Sequence, residues 1–265
     1  MRKSLKAVAA GAACVMAGAA LYGAGAATAG QSTANSTHEP YNIGLLVKDI
    51  DTYYGTTADS DGVYQASPDS PYAKDLARID RDAERYIDKA ARKAHHRGEK
   101  PAVVFDIDDT LLLSLDYEKR YNYTYNAATW NDYVNKADRP AVFGSPELVR
   151  YAESKGVEVF YNSGLSESQR AGAVENLKKV GADVNLDAGH MFLKDKASPP
   201  AYLKDCATPG TWTCTTVQYK AGTRAHIERD LGYEIIADFG DQYSDLDGGH
   251  ADRTYKLPNP TYFVG

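Results

Sequence analysis

Ala102-Val-Val-Phe-Asp106-Ile-Asp108-Asp109-Thr110-Leu111-Leu112-Leu113 is the stretch around which the chain is organised. Val103 to Phe105 is a short β-branched and aromatic run, the composition of a strand buried on both faces. It ends in three carboxylates within four residues, and a second apolar run follows at once. Asp is a poor strand residue and unpaired buried charge is costly, so acids at the exit of a central strand need a cation or a reaction. Ligand sites in open α/β sheets lie at these carboxyl ends. A calcium loop of the EF-hand type fails, because its sixth position requires Gly and here holds Leu111. The plainer alternative is a strand that stops at a solvated acidic turn.

Two later segments repeat the pattern. Ser145-Pro146-Glu147 opens a helix that closes at Gly156, and Val157 to Tyr161 then reads as a buried strand running into Asn162-Ser163-Gly164. Ser166 and Gln169 form a capping box for a helix to Gly181. A hydroxyl and a Gly delivered to a helix start suit an anion, although an ordinary turn has the same residues. Tyr219-Lys220 opens a further helix, which runs past Arg224 and stops near Gly232. Tyr233 to Phe239 is the third strand, ending in Gly240-Asp241-Gln-Tyr-Ser-Asp245, where Gly240 is expected to give the backbone freedom. Two strands of one sheet ending in acids point to a divalent cation, and hard oxygen donors suit Mg²⁺. Upstream, Ser70-Pro71 begins a long helix whose apolar positions, from Leu76 to Ala94, recur every three or four residues. Its end at His95-His96-Arg97-Gly98 suits cations at a helix C-terminus better than a metal. Thr261 to Val264 is expected as an edge strand.

Between the first two strands, Leu115 to Gly144 carries Tyr117, Tyr121, Tyr123, Tyr125, Trp130 and Tyr133 beside Lys119 and Arg120. Inserted after the acidic strand end, this segment would sit over the site as a small cap. Its rings would either form the cap's own core or make a wall for an aromatic or nucleoside substrate.

Residues 1–29 have the form of a signal peptide: Arg2, Lys3 and Lys6, an apolar stretch from Ala7 to Ala20, and Ala27-Thr28-Ala29 for cleavage. The apolar stretch is interrupted by Gly and too Ala-rich for a permanent membrane span. Its removal takes away three cations and no acid, leaving 27 cations against 36 acids and a net charge of −9. That balance argues against nucleic acid or anionic membrane as a partner. In an exported protein, Cys206 and Cys214 about the Pro209-Gly210 turn are expected to form a disulfide worth roughly 2–3 kcal/mol. Residues 30–68 are polar and read as a loosely ordered arm with one or two short helical turns, followed by a single α/β domain over 69–265.

The order of parts, D-x-D-D-T, strand to Ser-Gly, Lys opening a helix, then G-D-x-x-x-D, resembles the haloacid-dehalogenase-like superfamily. Phe105-Asp-Ile-Asp-Asp-Thr110, Tyr219-Lys220, Phe239-Gly-Asp-Gln-Tyr-Ser-Asp245 and Lys256-Leu-Pro-Asn-Pro-Thr-Tyr262 are similar to secreted acid phosphatases of the class B and plant-type branch. The resemblance runs from about residue 70 to the end and implies a Rossmann-like parallel sheet flanked by helices, with a small cap at about 115–144. It further implies Mg²⁺-dependent hydrolysis of phosphate monoesters through an aspartyl-phosphate.

On that resemblance Asp106 is the nucleophile and Asp108 the general acid and base. Mg²⁺ is held by Asp106, the Asp108 backbone carbonyl and Asp241, with Asp245 steadying the metal's water or Lys220. Ser163, Gly164 and Lys220 hold the phosphoryl oxygens, Asp109 and Thr110 shape the turn, and Arg224 is a nearby cation without an assigned role. The second motif departs from the common Thr-Gly-Arg, reading Ser163-Gly164-Leu165, and Arg170 is the candidate replacement for the missing cation. Two-metal phosphoesterases need D-x-H, and histidine-nucleophile phosphatases need Arg-His-Gly where this chain has His96-Arg97-Gly98. The non-enzymatic alternative is a secreted storage or binding protein on the same fold. The carboxylate kept at Asp106, with Asp108, Lys220 and Asp241, argues against it. The aromatic cap tilts the substrate toward nucleotides or aryl phosphates. Nothing in the sequence fixes an oligomeric state.

Overall fold

In the computed structural model, which describes residues 40–265, the chain divides into two units, up to Leu46 and from Val47. The signal peptide expected at 1–29 lies outside the described residues. Within the first unit, the Asn42 side chain accepts the Gly44 N–H at 2.9 Å and so caps helix α1 (Ile43–Tyr54).

From Val47 onward the supposed loose arm is ordered. Ile50 and Tyr54 of α1 are buried, and a short antiparallel hairpin follows, β1 (Thr57–Ala58) with β2 (Tyr64–Gln65). Long-range contacts that composition does not reveal hold this segment. Tyr54 packs on Tyr72 with ring centroids 4.5 Å apart, and Lys119 pairs with Asp51 at 2.7 Å.

Helix α2 (Pro71–Arg97) starts and stops where the sequence directs. The Ser70 hydroxyl accepts the Ala73 N–H at 3.1 Å, Pro71 opens the first turn, and Gly98 ends the helix in the left-handed conformation at φ 74°. Its buried stripe includes Leu76, Ala83, Ile87 and Ala94. Strand β3 (Pro101–Phe105) is buried at every position. The inserted segment holds two short helices, α3 (Leu115–Arg120) and α4 (Ala127–Asn135), before α5 (Ser145–Ser154) returns to the sheet at β4 (Glu158–Ser166). Helix α6 (Arg170–Val180) and β5 (Met191–Lys194) follow. The hairpin β6 (Ala207–Thr208) and β7 (Thr211–Trp212) is closed by a disulfide between Cys206 and Cys214. Helix α7 (Thr216–Arg229), β8 (Glu234–Gly240), α8 (Tyr243–Leu246) and β9 (Thr254–Lys256) complete the described elements.

The main sheet has the order β5-β4-β3-β8-β9, and every pairing in it is parallel. The chain leaves β3 toward one edge and later returns to build β8 and β9 on the other side. The strand order therefore reverses between β3 and β8, where parallel sheets open a crevice for ligands. Alternate residues of β3 serve both faces: Val103 and Phe105 join the large core with α2, while Ala102 and Val104 pack with Ile227 of α7.

The outer strand on the β8 side is Thr254–Lys256, not the expected Thr261 to Val264. The backbone of that later stretch is taken up by side chains instead of a ladder: Val264 donates its N–H to Gln242 Oε1 at 3.1 Å and accepts from Ser244 Oγ at 2.8 Å. Among the described residues no helix is long and apolar enough to cross a membrane.

Candidate active site

Asp106 is the first residue beyond β3, and its N–H donates to the Phe239 carbonyl of β8 at 2.8 Å. Asp241, the first residue beyond β8, therefore emerges from the neighbouring strand end. Asp245, on α8, completes a buried trio: the carboxylates of Asp106, Asp241 and Asp245 offer oxygens that all lie within 4.8 Å of one another. Gly240 makes the approach of Asp245 possible. A Cβ there would stand 2.5 Å from Asp245 Cβ, while the Gly240 backbone is not in the left-handed region. Room, not the expected backbone freedom, is what the position requires.

Lys220, from α7, lies between two of the acids, with Nζ 2.5 Å from Asp106 Oδ1 and 2.9 Å from Asp245 Oδ1; it also donates to the Asn162 carbonyl. One ammonium thus pairs with two of the three carboxylates. Burial pushes Asp106 well above the ordinary carboxylate range; Lys220 opposes the rise, and Asp245, Asp241 and Asp108 add to it. Burial, then Asp245 and Asp109, raise Asp241 to about 8, against hydrogen bonds from Asn259 and Gln242 that pull it down. Burial works against the charge on Lys220, but Asp106 and Asp245 outweigh it and raise its pKa. A buried set of anionic hard oxygens with too little positive charge has the donor chemistry of a Mg²⁺ site. Asp245, expected to steady the metal's water or Lys220, does pair with Lys220, and its carboxylate also stands in the cluster with Asp106 and Asp241.

Asp108 points differently from Asp106. Its Oδ1 is 2.5 Å from Nη1 of Arg139, a fully buried guanidinium contributed by the inserted segment. Arg139 also stands over the Trp130 ring, 5.6 Å from the centroid. Asn176 of α6 fixes its backbone, accepting the Arg139 N–H at 3.0 Å and donating to its carbonyl at 2.8 Å. Sequence reading missed this residue, since nothing in Asp138-Arg139-Pro140 marks a buried cation. Asp109 takes φ 53° and accepts the Ser114 N–H at 2.9 Å, shaping the turn as expected.

Ser163 is fully buried, and its hydroxyl accepts the Leu165 N–H at 3.1 Å. Gly164 and Leu165 line the cavity over the acids, together with Lys194 from the end of β5. Lys194 was also missed; burial, then the charge of Lys220, lowers its pKa. It, and not Arg170, is the further cation in this cavity. Arg170 is forked on Glu167 at 2.6 and 2.8 Å, donates to the Met191 carbonyl at 2.9 Å, and lines a separate cavity. Arg224 faces away from the acids. Fully buried, it pairs with Asp238 at 2.9 Å and donates to the backbone carbonyls of Asp245, Asp247 and Gly249, stapling the loop beyond α8.

The cavity holds about 600 Å³. Tyr123, Tyr125 and Trp130 from the insertion and Tyr262 and Phe263 from the tail add aromatic rings to its lining. Tyr117 and Tyr133 instead pack inside the insertion, with centroids 5.3 Å apart. The two readings of the aromatic segment thus apply to different rings.

A family model described as HAD superfamily, subfamily IIIB (Acid phosphatase) matches residues 62–265. The Stem 28 kDa glycoprotein of Glycine max is 34% identical over 62% of this chain and 61% of its own. Vegetative storage protein 1 of Arabidopsis thaliana is 32% identical over 61% and 54%, and Acid phosphatase 1 of Solanum lycopersicum 31% identical over 61% and 58%. The chain spans between 54% and 61% of the length of these three relatives. In fold it is similar to the class C acid phosphatase from Bacillus anthracis, with a TM-score of 0.52 at 22% identity over 70% of this chain and 78% of that one.

Proposed function

The chain belongs to subfamily IIIB of the HAD superfamily, the acid phosphatases, and from that premise we propose that it is a secreted, Mg²⁺-dependent phosphomonoesterase. The observation that carries the reading is Asp106: a buried carboxylate at the exit of the central strand, lining a cavity, with Lys220 at 2.5 Å and two further acids in reach.

Asp106 attacks phosphorus in line with the ester oxygen. A bond from carboxylate oxygen to phosphorus forms, the ester P–O bond breaks, and the leaving oxygen takes a proton from Asp108. Asp108 then removes a proton from water, which attacks the aspartyl-phosphate, releases inorganic phosphate and restores Asp106. Arg139 holds the Asp108 carboxylate in one orientation throughout. Lys220, the Gly164 backbone, the Ser163 hydroxyl and Lys194 supply positive charge and donors for the phosphoryl oxygens. Mg²⁺ held by Asp106, Asp241, Asp245 and the Asp108 backbone carbonyl would neutralise charge as an anionic nucleophile meets an anionic phosphoryl group. The segment at 115–144 acts as the cap, and Tyr125, Trp130 and Phe263 favour aryl phosphates or nucleotides among phosphate monoesters. The signal-peptide pattern expected of residues 1–29 and the Cys206–Cys214 disulfide are in keeping with an exported protein.

The test is phosphate release from p-nitrophenyl phosphate with Mg²⁺ and with EDTA, for wild type and Asp106→Asn. Metal-dependent turnover lost in the variant supports the reading, and turnover that survives the substitution places the chemistry elsewhere. The similarity to a vegetative storage protein favours a second reading, storage on the same fold. Absence of turnover on this ester and on a nucleotide panel would select it.

A further inference from the structure

The last residues of the chain run across the carboxyl end of β8. Leu257 donates its N–H to the Gly240 carbonyl at 2.8 Å, and Tyr262, Phe263 and Val264 line the cavity. Two side-chain amides, one from the strap and one that the strap holds, meet on one atom. Asn259 Nδ2 donates to Asp241 Oδ2 at 2.7 Å, and Gln242 Nε2 donates to the same oxygen at 2.6 Å. Both amides are themselves held in orientation. Asn259 Oδ1 accepts from the Thr261 N–H at 2.9 Å and from its hydroxyl at 2.6 Å, which leaves Nδ2 as the end that faces Asp241. Gln242 Oε1 accepts the Val264 N–H at 3.1 Å, which fixes that amide in the same sense. With both amides on Oδ2, Oδ1 is the oxygen of Asp241 kept for the cluster with Asp106 and Asp245.

We propose that the C-terminal strap is part of the cation site: Asn259 is a positioning residue that, with Gln242, fixes the rotation of the Asp241 carboxylate, and Thr261 and Val264 set the two amides. This rests on the reading of Asp106, Asp241 and Asp245 as metal ligands. Hydrogen bonds to the back of a ligating carboxylate orient it, and their loss lowers metal affinity about 10–100-fold. Asn259 supplies its bond from beyond β9, outside the strands of the sheet, so removing it need not disturb the sheet.

The experiment is Mn²⁺ binding, followed by electron paramagnetic resonance, to EDTA-stripped full-length protein. Wild type, Asn259→Ala and a chain shortened after Tyr262 are compared, with urea denaturation of each stripped protein. Asn259→Ala is expected to weaken Mn²⁺ binding about 10–100-fold. The shortened chain, which keeps Asn259 but loses the Val264 N–H, should lose several-fold, and both should keep the wild-type urea midpoint in EDTA. Wild-type affinity in Asn259→Ala overturns the proposal and leaves the metal reading standing. If Asn259→Ala does not fold, wild-type affinity in the shortened chain does the same. A wild type that binds no Mn²⁺ removes the cation cluster and the strap's role together.

Discussion

Replacing Lys220 by Met tests the charge balance of the site directly. Methionine keeps most of the lysine stem's volume, so the change removes the ammonium from between Asp106 and Asp245 and leaves packing nearly intact. Breaking a buried ion pair from one side costs about 3–5 kcal/mol, which for a domain of this size lowers the melting temperature by about 10 °C. The loss should depend on pH in a definite direction. Asp106 and Asp241 have folded-state pKa values raised above those of the unfolded chain, Asp241 to about 8, so the native state takes up protons that the unfolded state does not as pH falls from 8 to 5. Stability of both proteins rises over that window. It rises more in the variant, because Lys220 no longer opposes the upward push on Asp106. We expect the full loss at pH 8 in EDTA, a loss below ~2 kcal/mol at pH 5, and partial restoration by Mg²⁺ at pH 8. Urea denaturation at the two pH values measures this. An equal loss at both, or a larger one at pH 5, would refute the view of Lys220 as the counter-ion of the cluster.

Gly240→Ala should destabilise by about 1–3 kcal/mol and depress turnover, since the new Cβ would stand 2.5 Å from Asp245 Cβ; a variant with wild-type urea midpoint and rate would show that α8 yields freely. If Asp108 transfers the proton as proposed, Arg139→Met should lower kcat for p-nitrophenyl phosphate by about 100-fold with little change in KM, because it releases Asp108 from its 2.5 Å contact. An unchanged kcat and pH–rate profile would remove Arg139 from the mechanism. Asp80, far from the site in sequence, is raised to about 7 by burial and then by Glu84 and Glu147. A raised carboxyl stabilises the fold below its unfolded pKa, and that contribution is lost as pH climbs from about 4 through about 7. Asp80→Asn should therefore flatten the fall in stability over this window and gain up to ~4 kcal/mol at pH 8. Parallel stability curves for the two proteins would contradict the assignment.

The parts of the site that repeat a local grammar were legible in the sequence. Asp106 and Asp241 follow buried apolar runs, so pattern and position agreed before any contact was known; Lys220 lies on the expected helix, but that helix opens at Thr216 behind the Thr215 cap and not at Tyr219. Residues whose burial is decided by a distant partner were not legible. Arg139 looks like a surface cation until Asp108 and Asn176 are brought to it across 31 and 37 positions. Arg170 was misjudged for the related reason that closeness in sequence to Gly164 does not say which way a side chain leaves its helix. Its neighbours Glu167 and Met191 draw it to another cavity. Helix α1 was understated because the stretch around it is polar, while its order depends on Tyr72 and Lys119 elsewhere in the chain. Gly240 was noticed for the wrong property, since only the position of Asp245 reveals that space is what it provides.

The inserted segment between β3 and α5 supplies both the rings at the cavity wall and the guanidinium on Asp108. Taste and chemistry are therefore not separate modules in this protein. A descendant or an engineered relative that exchanged the insertion to accept a new leaving group would also discard the ion-pair partner of Asp108, unless the incoming segment carried a cation to the place of Arg139. Drift in substrate preference is then freest at Tyr125 and Phe263, side chains that are largely exposed, and most constrained around Trp130, whose ring packs against that same guanidinium.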